Sequence, residues 1–134
     1  MTEVLIKRLS KNIELPKYET NGSSGMDLSA NIEKQIKIEP GKTSIIPTGI
    51  SVSIPKNFEI QIRSRSGLAA KSQISVLNSP GTIDADYRGE LKVILINLSN
   101  KTFVVERGTR IAQMVLCPIA VSYTHLTLPT KEGV

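Results

Sequence analysis

The chain has 134 residues, 40% apolar and 22% charged, which is the composition of one globular domain and not of a disordered segment. Aromatics are only 4% and tryptophan is absent, so a core must rest on Ile, Val and Leu. The net charge of +5 favours acidic partners such as nucleotides or nucleic acid, and no apolar run approaches the ~18 residues of a membrane span.

Val4 to Ile6 reads as a first strand, followed by a loop from Leu15 to Gly25 dense in Pro, Gly, Ser and Asn. Gly25-Met-Asp-Leu-Ser-Ala30 enters a second strand, and Ile32, Ile36 and Ile38 suggest a third, closed by a Pro-Gly turn at Pro40-Gly41. Ser44 to Ile54 alternates apolar and small polar residues, with Pro47 predicting an edge or bulge. Phe58 to Ile62 alternates again. Arg63-Ser-Arg-Ser-Gly67 breaks the pattern, and Leu68 to Lys71 is the one helical candidate, a single turn. Ile74 to Leu77 is a strand and Asn78 to Gly81 a turn. Gly81-Thr-Ile-Asp-Ala-Asp-Tyr-Arg-Gly-Glu90 reads as a tight turn bracketed by two glycines. Leu91 to Asn97 is apolar on nearly both faces, as in a strand buried on both sides. Thr102 to Val105 and Arg110 to Leu116 complete the strands. Short strands at this spacing, without a long amphipathic helix, predict an all-β barrel or sandwich. Val121 to Val134 is threonine-rich with little period and predicts an extended tail.

Several chemistries are excluded first. Neither GxxxxGK[ST] nor GxGxxG occurs. A Ser–His–Asp triad would need His125, in the tail. One histidine and one cysteine make no usual zinc cluster, and the single Cys117 suits a reducing compartment. The N-terminus lacks the order of a signal peptide.

Four stretches remain. Each alone also reads as an ordinary turn, cap or solvated loop. Asp27, beside Gly25, could face a metal-bound water. Arg65, Ser66 and Gly67, with Arg63 upstream, combine guanidinium, hydroxyl and backbone N–H groups as an anion site would. Asn78 to Glu90 holds Asp84 and Asp86, two of only three aspartates in the chain. Arg110 to Gln113 offers a cation and an amide. Together they suit phosphoanhydride hydrolysis by positioning and electrostatics.

In order and spacing, from about residue 3 to residue 120, these stretches resemble the motifs of the trimeric deoxyuridine triphosphatase (dUTP diphosphatase, dUTPase) family. Gly25-Met-Asp-Leu resembles the first motif, Arg65-Ser-Gly-Leu-Ala69 the second, Asn78 to Glu90 the third and Gly108-Thr-Arg-Ile-Ala-Gln-Met114 the fourth. The third is the most specific. The resemblance implies a β-barrel or distorted jelly roll with at most one short helix, assembled as a homotrimer with shared sites. It implies hydrolysis of dUTP to dUMP and pyrophosphate with Mg²⁺. Asp84 would activate the water attacking the α-phosphorus. Tyr87 would pack against the deoxyribose and exclude a 2′-hydroxyl. Asn78, Gly81, Thr82 and Ile83 would read uracil, and a fit to one base edge rejects another by leaving polar groups unpaired. Arg65, Ser66 and Gly67 would bind phosphates from a neighbouring subunit, with Lys92 and Gln113 also on the substrate. Asp27 would reach magnesium through water, and Arg110 would order the site from behind.

The sequence departs from the family at one place. The family closes its site with a glycine-rich fifth motif carrying an arginine and a phenylalanine, and residues 121–134 contain neither. Residues 1–120 are therefore expected as the dUTPase-like domain and 121–134 as an atypical tail, with turnover weakened more than binding. The alternatives are a catalytically weak dUTP-binding or regulatory module and a dCTP deaminase relative, which would need an extended helical insert. A nucleic-acid-binding β-barrel is disfavoured by the shortage of stacking aromatics. No stable nucleic-acid or membrane binding is expected, and the expected location is the cytoplasm, or the nucleus in a eukaryote.

Overall fold

The computed structural model describes residues 2–120, so the expected tail at 121–134, with His125, lies outside the described residues. Eleven strands and one helix follow in chain order: β1 (Leu5–Arg8), β2 (Met26–Ser29), β3 (Ile36–Ile38), β4 (Thr43–Pro47), β5 (Ile50–Ser53), β6 (Phe58–Arg63), α1 (Ser66–Ser72), β7 (Ile74–Val76), β8 (Gly81–Ile83), β9 (Lys92–Asn97), β10 (Phe103–Val105) and β11 (Arg110–Pro118). They pair antiparallel into four open sheets, β1-β5, β10-β3, β2-β11-β6-β8 and β4-β9-β7. The all-β expectation holds in its jelly-roll form; among the described residues the sheets do not join into a closed barrel. Among the described residues no helix is long and apolar enough to cross a membrane.

Period-2 patterning builds the core. Ile60 and Ile62 of β6 alternate inward, as do Val93, Leu95 and Asn97 of β9. They meet Leu28, Ile38, Ile46, Ile74, Val105, Ile111 and Met114 in one aliphatic cluster. Asn97 is the polar exception, with 0% exposure. Its amide nitrogen donates to the carbonyls of Ile38 at 2.8 Å and Lys101 at 2.7 Å, and its oxygen accepts from the Ser99 N–H and Oγ. All four hydrogen-bonding positions of the side chain are filled, which is what makes its burial tolerable.

The structure corrects four expectations. Ser44 to Ile54 is not one strand: β4 stops at Pro47, and Gly49, at φ +73°, turns the chain into β5. A Cβ there would lie 2.3 Å from Ile13 Cδ1 and 2.6 Å from Asn31 Nδ2, so both the corner and its packing require glycine. Ile32 is buried but lies before β3, outside any strand. Leu68 to Lys71 belongs to a longer helix of seven residues, ended by Gln73 in the left-handed conformation. Finally, β9 is not buried on both faces. Ile94 and Ile96 point outward and remain half-buried, beside exposed Ile45 of β4 and Leu77 after β7.

Candidate functional site

The third motif is less of a turn than its glycines suggest. Gly81 to Ile83 is a strand, β8, paired with β6 through Ile62↔Gly81, Gln61↔Thr82 and Ile60↔Ile83. The turn proper begins after it, where the Tyr87 N–H donates to the Asp84 carbonyl at 3.1 Å. Arg88 Nη1 holds that turn by donating to the carbonyls of Ala85 at 2.7 Å and Tyr87 at 3.1 Å. Asp84 thus stands exposed where the strand ends. Among the described residues its carboxylate makes no hydrogen bond or ion pair, so it is open to a water.

Beside β8 lies a cleft of about 50 Å³ lined by Asn78, Gly81, Thr82, Ile83 and Lys92, with Ile62, Val76 and Val93 as apolar walls. A Cβ on Gly81 would come 3.2 Å from Asn78 Nδ2, so the glycine gives the Asn78 amide its place. β8 is also the end strand of its sheet, which leaves one row of its backbone N–H and C=O groups without a strand partner. A side-chain amide and an open backbone edge, over apolar walls, can hydrogen-bond one edge of a flat polar ring.

A second cluster forms where β2, β11 and β6 run side by side. The register places Asp27 opposite Gln113, and Gln113 opposite Arg63. Gly25 lets β2 enter there: a Cβ on it would lie 2.9 Å from Gln113 Oε1 and 3.0 Å from the Met114 carbonyl. Each oxygen of Asp27 faces a guanidinium, Arg65 Nε at 3.2 Å on Oδ1 and Arg110 Nη1 at 3.4 Å on Oδ2. Arg65 Nη1 also donates to the Arg110 carbonyl at 3.4 Å, and Arg110 Nη2 stands 3.9 Å from Glu19 Oε2. These side chains are between 22% and 47% exposed, so each pair is screened by water, is worth about 0.2–1 kcal/mol and serves orientation more than stability. Gln113 Nε2 donates to the Ser64 carbonyl at 3.3 Å. Ser66 and Gly67 open α1 and are exposed. Their N–H groups belong to the first helical turn, which has no intrahelical acceptors for them. A Cβ on Gly67 would meet nothing within 4 Å, so the chain itself leaves this spot clear. A recess of about 160 Å³, lined by both polar and apolar side chains, adjoins the cluster and shares Asp27 and Arg110 with it.

The expected site residues therefore fall into two groups. Asn78, Gly81, Thr82, Ile83 and Lys92 share the cleft, with Asp84 and Tyr87 on the turn that follows. Asp27, Arg65, Arg110 and Gln113 share the cation cluster, with Ser66 and Gly67 beside it. Among the described residues no hydrogen bond or ion pair joins a member of one group to a member of the other. Ser64 comes nearest, its N–H donating to Ser79 Oγ at 3.4 Å and its Oγ accepting from the Val76 N–H at 2.9 Å. Sequence reasoning passed over Ser64, Glu19 and the bond from the Gly49 N–H to Glu90 Oε2 at 2.9 Å. Ser64 had a local signal, lying between two arginines where the strand pattern breaks; the other two span separations that no local pattern encodes.

Comparison with known proteins identifies the family. The dUTPase family model matches residues 11–132. The deoxyuridine 5′-triphosphate nucleotidohydrolase of Rickettsia prowazekii is 58% identical over 115 residues, 85% of this chain and 78% of that protein. The protein of the same name from Chlamydia trachomatis is 57% identical over 112 residues, 84% and 77% of the two chains. Among solved structures, a dUTPase variant of Staphylococcus bacteriophage 80alpha with dUpNHpp superposes with a TM-score of 0.84 at 23% identity, over 98% of this chain and 100% of that one. A phage phi11 dUTPase variant described with a structural Mg(II) ion gives 0.82 at 22% identity, over 93% and 96%. These two likenesses speak for the fold alone. With four motifs in order and close sequence relatives across most of its length, the chain belongs to the dUTPase family.

Proposed function

We propose that the chain hydrolyses dUTP to dUMP and pyrophosphate. The observation that carries the reading is the cleft beside β8, where the Asn78 amide and an open strand edge stand next to Asp84. The names of the rickettsial and chlamydial relatives support the substrate. In this reading Asn78 and the backbone of Gly81 to Ile83 hold uracil, while Lys92 lines the same cleft and also contacts the substrate. Tyr87 closes the sugar side. Asp84 takes a proton from the water that attacks the α-phosphorus, and the bond to the bridging oxygen breaks to release pyrophosphate.

Arg65, Ser66 and Gly67 hold the phosphates. Because they form a group apart from Asp84, the reading places them on a neighbouring chain of a homotrimer. The outward apolar face of β4, β9 and β7, with Ile45 60% and Leu77 53% exposed, supports such packing. Arg110 and Asp27 keep Arg65 in place.

Magnesium fits the donor set in one way. Among the described residues no group of three or more His, Cys, Asp or Glu could hold a metal ion. That suits a hydrated ion that arrives on the triphosphate and takes few protein ligands. Both Asp27 oxygens already face guanidinium groups, so Asp27 and Gln113 would reach its waters, not the ion. When bound it neutralises charge on the phosphates.

Residues 1–120 are taken as the catalytic domain and 121–134 as a tail of different character. A cytoplasmic setting belongs to the same reading. Among the described residues the seven-residue α1 is the only helix, which lends no support to a deaminase with a helical insert.

The test is pyrophosphate release by the 134-residue chain with Mg²⁺, offered dUTP, dCTP, dTTP and UTP in parallel. Release from dUTP alone is the expected result. Binding of dUTP without release from any nucleotide would favour the weak binding module. No binding of dUTP would overturn the reading.

A further inference from the structure

Tyr87 is not a free arm. Its hydroxyl donates to the Glu90 carbonyl at 3.0 Å, three residues on. That closure draws the ring across Gly89: a Cβ built on Gly89 would lie 2.6 Å from the Tyr87 Oη, 2.8 Å from Cζ and 3.2 Å from Cε1. No side chain fits at 89 with the ring where it is. Glu90 in turn is anchored far away in sequence, its Oε2 accepting the Gly49 N–H at 2.9 Å. Gly49 sits at the corner between β4 and β5, and φ +73° together with Ile13 and Asn31 fixes it there. The next residue continues the seam: the Leu91 N–H donates to the Ile50 carbonyl at 2.9 Å, and the Thr48 hydroxyl donates to the Leu91 carbonyl at 2.5 Å. The carbonyl that holds the tyrosine is therefore tied to the core through the Glu90 side chain and through Leu91, while Tyr87 remains 42% exposed.

We propose that Gly89 and Glu90 are positioning residues that set Tyr87 as a fixed wall, and that this preset ring governs discrimination between deoxyribose and ribose. The inference rests on the reading of Tyr87 as the sugar-side residue. A wall rejects an extra hydroxyl only if it cannot yield; a tyrosine free to swing would move aside for it. Each hydrogen bond in the strap is ordinary, but together they remove the rotamers by which the ring would retreat.

Two readouts separate the strap from the substrate reading. The first is the ring signals of Tyr87 in the tyrosine-labelled chain without nucleotide, identified by their absence in Tyr87→Phe. Gly89→Ala and Glu90→Ala should move them toward free tyrosine, whereas Glu90→Gln, which keeps an acceptor oxygen for Gly49, should not. The second is the preference for dUTP over UTP in kcat/KM. It should fall about three- to tenfold in Gly89→Ala, the size of one lost hydrogen bond, and stay with the parent in Glu90→Gln. Tyr87→Phe, which keeps the ring and loses only the hydroxyl, should show the same relaxation and stands in if Gly89→Ala does not fold. Ring signals unmoved by Gly89→Ala would overturn the strap. Ring signals that move while the preference holds would overturn its role in sugar choice. If the parent hydrolyses neither nucleotide, the substrate reading fails, and the ring signals still decide whether the strap exists.

Discussion

Replacing Asp84 with asparagine separates chemistry from structure cleanly. The carboxylate is exposed and has no hydrogen bond or ion pair among the described residues, so the change removes a base without removing a contact. Folding stability should stay within about 0.5 kcal/mol of the parent. Turnover should fall by about 10²–10⁴-fold, the usual worth of one placed proton acceptor. At 1.36 kcal/mol per decade that is roughly 3–5 kcal/mol in the barrier. Binding of dUTP should be retained or tightened, because a negative charge facing a triphosphate is gone. The assay is pyrophosphate release under single turnover, with calorimetric titration of dUTP in parallel and urea unfolding as the control. Turnover within tenfold of the parent, in a folded protein, would refute the assignment of Asp84 as the base.

Three further substitutions test the framework. Gly25→Ala puts a methyl 2.9 Å from Gln113 Oε1 and 3.0 Å from the Met114 carbonyl, and should cost about 1–3 kcal/mol in urea unfolding as β2 is pushed off β11. Asn97→Leu removes the buried amide donor from the Ile38 carbonyl and strands the Ser99 N–H, while the Lys101 carbonyl keeps only the Ser99 hydroxyl, and should cost at least about 2 kcal/mol in the same measurement. If the chain assembles as the proposed homotrimer, Ile45→Glu, on the exposed face of β4, should leave the fold of one chain within about 0.5 kcal/mol yet shift sedimentation from trimer to monomer; an unchanged trimer would remove that face from the interface.

The strands were legible because their patterns are local. Phe58 to Ile62 alternates, and β6 forms there with Ile60 and Ile62 inward. The errors arose where a local signal had two causes. Ile94 and Ile96 look like core residues, and they instead face outward in a single chain. The sequence records that they are apolar, not which surface covers them. Pro47 announced an interruption but not its form, because the break depends on Gly49 packing against Ile13 and Asn31, both distant in sequence. At the candidate site the residue types were legible from motif order, whereas their partners were not. Asp27 read as a carboxylate for a hydrated metal, and its oxygens face Arg65 and Arg110, which are 38 and 83 positions away. β8 was hidden because Gly81 and the residues before it carry turn chemistry, and only pairing with β6 makes Gly81 to Ile83 a strand.

The division of the site into two groups can be tested by mixing two defective variants. If Asp84 acts on a phosphate held by Arg65 of a neighbouring chain, each site needs one intact residue from each of two chains. Asp84→Asn chains lack the base everywhere, and Arg65→Ala chains lack the guanidinium everywhere, so each trimer alone should be nearly inactive. Unfolded together in equal amounts and refolded, the two would mix in one symmetric assembly. A site then works when its Asp84 comes from an Arg65→Ala chain and its Arg65 from an Asp84→Asn chain. Random mixing satisfies each condition half the time, so roughly one quarter of the parent activity should return. Sites built within one chain could never be repaired in this way, because each chain would carry its own defect into its own site. A mixture no more active than its two components, with native mass spectrometry confirming mixed trimers, would place Asp84 and Arg65 in the same chain's site. The gap between the cleft beside β8 and the cluster around Asp27 would then have to close by movement within one chain, not by assembly.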